Sequence, residues 1–176
     1  PETVPPMSVP FTQEDIDRYP ALGVPNGAEF AYDSVNLVNG NLLYETTDVL
    51  LDEYSGFNIT RYHNSQAVRF PSLFGRGFTS NLDVKLMELD DGSFLFVLPE
   101  GRGIVLQKQS ETEYASADGV YGMSITADGY EVRSNQLLYW QFNEDALLMA
   151  AGDKYGEQVA LAYDSNLNLE KVTTRG

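Results

Sequence analysis

Val159-Ala160-Leu161-Ala162-Tyr163-Asp164-Ser165-Asn166-Leu167-Asn168-Leu169-Glu170-Lys171-Val172-Thr173 is the stretch whose reading decides the fold. It begins with a nearly continuous apolar run that ends in an aromatic residue, crosses a polar turn, and restarts on an aliphatic one. Trp140-Gln141-Phe142-Asn143-Glu144-Asp145-Ala146-Leu147-Leu148 can be laid on Leu161–Leu169 at an offset of 21 residues. The offset pairs Phe142 with Tyr163, Asn143 with Asp164, Asp145 with Asn166 and Leu148 with Leu169. A period near 20 marks a stack of hairpins. Two units are too few to bury a continuous core, since such arrays generally need about three or more. Further strands must therefore complete it.

Working upstream, the same texture continues. Phe57, Ile59 and Arg61 alternate with Asn58, Thr60 and Tyr62, and Leu82, Val84 and Leu86 alternate with Asp83, Lys85 and Met87. Ser93–Leu98 and Leu137–Trp140 are short apolar runs. Between them stand Asp91-Gly92, Glu100-Gly101, Asp118-Gly119, Asp128-Gly129, Asn135, Gly152-Asp153 and Asn166. Asp-Gly pairs supply the positive φ that tight hairpins demand. Strands at roughly 8–12-residue spacing between such turns predict an all-β fold, an antiparallel hairpin meander. Glu144–Ala151 competes as a helix but is short and flanked by strand signals, so it reads as strand.

Three segments follow. Residues 1–35 read as a Pro-rich leader or arm, with six of the eight prolines in the first 25 positions. Each proline fixes φ and removes a donor, which favours an extended chain. One helical turn is expected within it, capped by Thr12 with Asp15 behind and stopped by Pro20. Residues 36–135 read as a β domain and 136–176 as the repeat hairpins.

Composition narrows the function. The chain has 176 residues, no cysteine and one histidine, which excludes disulfides, thiol catalysis, zinc fingers and iron–sulfur clusters. A net charge of −15 argues against nucleic-acid partners, which need clustered Lys and Arg. No apolar stretch approaches the ~18 residues of a membrane span, so membrane insertion is not expected. No secretory signal opens the sequence, and without an initiator Met it reads as a piece of something longer.

The repeat and the motifs before it resemble the Rhs/YD-repeat family. Tyr163-Asp164 followed by a turn, Leu169 and Val172-Thr173 is similar to the YD repeat, with Leu167 and Ala146 standing where the turn glycine is usual. Upstream, Gly40-Asn41-Leu42 followed by Thr47-Asp48 resembles the opening of the domain that precedes the repeats in Rhs proteins. Arg61-Tyr62-His63-Asn64-Ser65 resembles its Arg-x-Tyr-Asn-Ser motif, and Phe74-Gly75-Arg76-Gly77-Phe78 resembles Phe-Gly-x-Gly-Trp. Ser80-Asn81-Leu82 and Asp91-Gly92 follow in order. The resemblance spans roughly 36–98 and 136–176; residues 99–135 match only as generic hairpins.

The resemblance implies the start of a YD-repeat β-shell. It implies a non-enzymatic structural module of a larger secreted polymorphic toxin of interbacterial competition, beginning or capping the shell that encloses a C-terminal toxin. The partners implied are the remaining YD repeats and the toxin domain of the same polypeptide, and the localisation is secreted or cell-surface, as in the related toxin-complex and teneurin-type shells. Gly40, Asn41, Leu42, Thr47, Asp48, Arg61, Asn64, Ser65, Phe74, Gly75, Gly77, Phe78, Tyr163 and Asp164 are its structural motif residues. No catalytic, cofactor or metal residues are expected.

Other chemistries compete at particular residues. His63 is the one available histidine base, which Asp48, Asp52 and several serines could join, but no Gly-x-Ser-x-Gly elbow accompanies it. Arg61 is expected to pair with a carboxylate such as Asp48. Gly75-Arg76-Gly77 lacks the Lys-Ser/Thr of a phosphate loop and reads as a tight turn between Phe74 and Phe78. The carboxylates Asp52-Glu53, Asp90-Asp91 and Glu144-Asp145 form no calcium loop. Tyr54, Tyr62, Tyr114, Tyr121, Tyr130, Tyr139 and Tyr155 carry the alternative, a carbohydrate-binding or adhesion domain with glycan partners, against their ordinary use as sheet core.

Overall fold

The computed structural model describes residues 17, 22–23, 30–31, 35–37, 39–50, 58–66 and 72–175. The chain is an antiparallel, nearly all-β molecule. Strands β1 (Phe30–Ala31) and β2 (Val35–Asn36) make a short ribbon. Strands β3 (Leu43–Leu50), β4 (Asn58–Asn64) and β5 (Phe78–Ser80) make a three-stranded sheet in that order. Ten strands then form one sheet in unbroken sequence order. They are β6 (Lys85–Glu88), β7 (Phe94–Val97), β8 (Gly103–Lys108), β9 (Glu113–Ser116), β10 (Tyr121–Thr126), β11 (Gly129–Ser134), β12 (Leu138–Phe142), β13 (Leu148–Asp153), β14 (Gln158–Tyr163) and β15 (Leu169–Arg175). The hairpin meander read from turn spacing is thus the observed architecture. The sheet passes residue 135 without a break, because β11 and β12 are hydrogen-bonded neighbours. Residues 82–84, read as strand, precede β6, and the Glu144–Ala151 segment is a turn followed by the start of β13. The leader's expected helical turn lies outside the described residues apart from Asp17.

One turn design recurs along the meander. Residues 89, 98, 116, 134, 143, 153 and 164 each accept, at the carbonyl, the N–H of the residue three further on. That later residue has positive φ each time: Gly92, Gly101, Gly119, Leu137, Ala146, Gly156 and Leu167. Turns alternate between the two ends of the strands. One rim carries those around 98–102, 116–121, 134–138 and 153–157; the other carries those around 89–93, 143–147 and 164–168.

The sheet curls strongly. Phe96 of β7 and Trp140 of β12 have ring centroids 5.1 Å apart. Five strand intervals separate these strands, roughly 24 Å in a flat sheet. The rings can meet only if the face bearing them folds inward. Phe94 and Phe96, Leu106, Tyr114, Met123, Val132, Trp140, Phe142, Val159 and Leu161 all belong to that inner cluster, together with Leu82 and Val84 from just before β6. Each fully buried side chain of this size contributes about 1.5–3 kcal/mol. The ends of the sheet therefore share one core, although β6 and β15 each have a single hydrogen-bonded neighbour among the described residues. In β7 the alternate residues Leu95 and Val97 face the other way, into a smaller cluster with Leu22 and Leu89. Burial on both faces explains why Ser93–Leu98 reads as continuous apolar sequence.

Candidate functional site

The motif residues gather in three places. The first is on β3 and β4. Their ladder runs from Leu43↔Asn64 to Thr47↔Thr60 and resumes at Val49↔Ile59, so Asp48 is the extra residue of a bulge. Bulges re-aim a side chain and increase local twist. Asp48 accepts hydrogen bonds from Arg61 Nε and, at 2.7 Å, from Nη2. That hydrogen bond raises the Arg61 pKa further, against the opposing effect of burial. The same guanidinium lies over the rings of Phe74 at 5.4 Å and Phe78 at 5.3 Å. Gly75 and Gly77 have φ of 96° and 77°, and this backbone brings both rings to one cation. Thr47 faces Thr60 with hydroxyls 3.5 Å apart.

The second place is a buried asparagine node at the rim that carries residues 98–102. Asn64 is fully buried. Its Nδ2 donates to the Glu100 carbonyl at 2.6 Å, and its Oδ1 accepts from Asn41 Nδ2 at 2.6 Å and from the Gly23 N–H at 3.1 Å. Its own N–H donates to the Gly77 carbonyl at 2.7 Å. Asn41, also fully buried, accepts at Oδ1 from Ser65 Oγ and the Gln66 N–H, both 3.3 Å. Leu42 donates its N–H to Ser65 Oγ at 2.9 Å. Gly40 turns the chain here with φ of 70° and donates to the Asn36 carbonyl. Gly101 makes room, because a Cβ there would stand 2.7 Å from Asn64 Nδ2. A buried polar group left unpaired costs about 1–3 kcal/mol, so each link in this node matters. It ties the ribbon, the three-stranded sheet and the meander together.

The third place is the repeat. Asn143 and Asp164 play one part: each side-chain Oδ1 accepts two backbone N–H groups, from Asp145 and Leu147 and from Asn166 and Asn168. Ala146 and Leu167 follow with φ of 57° and 63°. Then comes a bulge, with Met149 and Glu170 skipped by the ladders. The turn acceptors, the positive-φ residues and the bulges are each separated by the same offset of 21. Tyr163 donates its hydroxyl to the Leu148 carbonyl at 2.8 Å, linking one unit to the other. Burial, with the charge of Asp83, pushes its pKa up to about 12.

The remaining candidates disperse. His63 meets the edge of Phe78 at 5.0 Å, while Asp48 is engaged by Arg61. Asp52, Glu53 and Tyr54 lie outside the described residues. Asp90 and Asp91 sit in a turn where Asp91 accepts from Ser93. Tyr114, Tyr121 and Tyr130 belong to or pack on the inner core, and Tyr155 is 80% exposed. Tyr139 lines a shallow groove with Glu131, Arg133 and Gln141. Among the described residues no group of three or more His, Cys, Asp or Glu is arranged for a metal ion, and no helix is long and apolar enough to cross a membrane.

Sequence reasoning missed several members of the node. Asn36 is fully buried. Gly23 and the Glu100 carbonyl also belong to the node without a motif to mark them. Glu100 is held above the usual carboxylate range by burial, against the pull of Arg102, whose Nε stands 3.5 Å from Oε1. The available signal was the apolar pair Leu22-Gly23 between Pro20 and Pro25.

No curated protein matches the chain. Residues 32–106, which include Gly40, Asn64 and Phe78 and end within β8, match the model of a family described as Domain of unknown function (DUF6531).

Proposed function

We propose that this chain is a non-enzymatic structural module that begins or caps the β-shell of a larger secreted Rhs/YD-repeat toxin. The carrying observation is the 21-residue geometric repeat, turn and bulge alike, at the end of a sheet whose strands follow sequence order. In such a sheet the next hairpin adds at the free edge of β15 without rearranging what precedes it. The Asn64 node and the Arg61–Asp48 pair support the same reading, since they are fixtures that brace the first strands and expose no reactive group.

The test compares chain 1–176 with the same chain continued through the rest of its reading frame. Hydrogen exchange on the outward amides of β15 should slow in the longer protein, and proteolysis of β14–β15 should fall. Unchanged exchange at β15 overturns the proposal.

The groove of Tyr139, Glu131, Arg133 and Gln141 favours the second reading, a carbohydrate-binding or adhesion domain. It combines an aromatic face with amide and carboxylate groups. Glycan-array binding lost in Tyr139→Ala would support it; an array with no bound glycan would end it.

A further inference from the structure

The convex side of the meander carries a second apolar surface. Met87, Leu89, Leu95, Val97 and Val105 face away from the Phe96 cluster. Leu95 is fully buried and Val97 is 3% exposed, because Leu22 packs on them and is itself 3% exposed. The next residue is held by different physics. The Gly23 N–H donates to Asn64 Oδ1 at 3.1 Å. Gly23 has a φ of 60°, and a Cβ there would stand 2.9 Å from both Arg102 N and the Glu100 carbonyl oxygen. Those are backbone atoms, which cannot swing aside as a side-chain tip can. The site thus selects an aliphatic side chain at one position, and no side chain plus a donor at the next.

We propose that the outer face of β6–β8, with Asn64 and the 98–102 turn, is a peptide-recognition site for a Leu-Gly pair. Its occupant is the chain's own Leu22–Gly23, which serves as a clasp between the three-stranded sheet and the meander. The clasp touches both: Leu22 rests on β7, and Gly23 bonds to β4. This holds whether or not the chain belongs to a shell.

The test starts from the full chain, with a specific protease sequence inserted between Gly27 and Ala28. The protein is folded, cut, and passed over a sizing column at micromolar concentration. The N-terminal piece should travel with the body. An excess of synthetic peptide covering residues 12–27 should displace it. Peptides with Leu22→Asp or Gly23→Val should compete at least tenfold more weakly. Because the changes are on the peptide, the body's folding is untouched. Separation of the piece on cutting, or equal competition by the Gly23→Val peptide, overturns the proposal. A dimeric mass before cutting would move the occupant to a second copy and overturn the clasp within one chain.

Discussion

Asp48 reaches Arg61 because β3 carries one more residue than β4 across their ladder. The bulge puts the carboxylate against the guanidinium edge, while the faces of Phe74 and Phe78 take its plane. Lysine has neither the fork nor the flat surface. Arg61→Lys should therefore lower the melting temperature nearly as far as Arg61→Ala. In a thermal-melt cycle, Asp48→Asn should cost less in the Arg61→Lys background than alone. Additive losses would show that the pair is uncoupled.

Leu137 and Leu167 occupy left-handed backbone with φ of 74° and 63°, and both side chains are nearly half exposed. A non-glycine residue there costs roughly 1–2 kcal/mol. Glycine relieves this but costs about 0.5–1 kcal/mol more chain entropy. Leu137→Gly and Leu167→Gly should each stabilise by up to about 1 kcal/mol, read by urea denaturation. Gly156 has open space where its Cβ would be, so Gly156→Ala isolates the backbone effect and should destabilise by a similar amount. Equal midpoints for all three variants would contradict the turn assignment.

Phe96→Ala should cost about 3–5 kcal/mol, since a fully buried ring is lost from the place where β7, β10 and β12 meet. Trp140 is the only tryptophan and reports on that place. Its emission should shift to the red in Phe96→Ala. Leu95→Ala, on the opposite face, should lower stability without that shift. The same emission in both variants would argue against the curl.

Glu100 titrates above its ordinary range because burial disfavours its charge, with Arg102 opposing and Glu45 assisting. A group whose folded pKa is raised gives stability below its unfolded value and loses it as pH rises through the folded one. Asp91 and Asp118 behave oppositely: hydrogen bonds from Ser93 and Ser116 lower their pKa values, so their contribution is present above the unfolded value and fades in acid. Stability of Glu100→Gln relative to the parent should therefore improve as pH rises from the unfolded carboxylate value through the raised folded one, and level off above it. A pH-independent difference in denaturation midpoint would rule out this role for Glu100.

Much of this was legible from neighbouring residues. Turn chemistry is local, so Asp91-Gly92 and Asp118-Gly119 announce hairpins, and the 21-residue offset survives even where Ala146 and Leu167 replace glycine. Arg61 finds its acid on the adjoining strand for the same reason. The inward curl was not legible. Phe96 and Trp140 lie 44 positions apart, and their meeting depends on twist accumulated over every intervening strand. Period-2 alternation also cannot say which tyrosine faces inward on a curled sheet, so Tyr114 in the core and Tyr139 in the groove look alike in sequence. Asn41 and Asn64 read as surface residues by type, and their bonds to each other and to Gly23, Glu100, Ser65 and Gln66 make burial tolerable.

Met149 and Glu170 have one further consequence. Both surplus residues lie beside the turns of the same rim, and the register shows none at 134–138 or 153–157. An edge lengthened twice, facing one that is not, cannot stay straight. Across β12–β15 the bend is thus counted out in residues, one increment at Met149 and one at Glu170. Deleting Glu170 should subtract one increment of arc while leaving hairpin order intact.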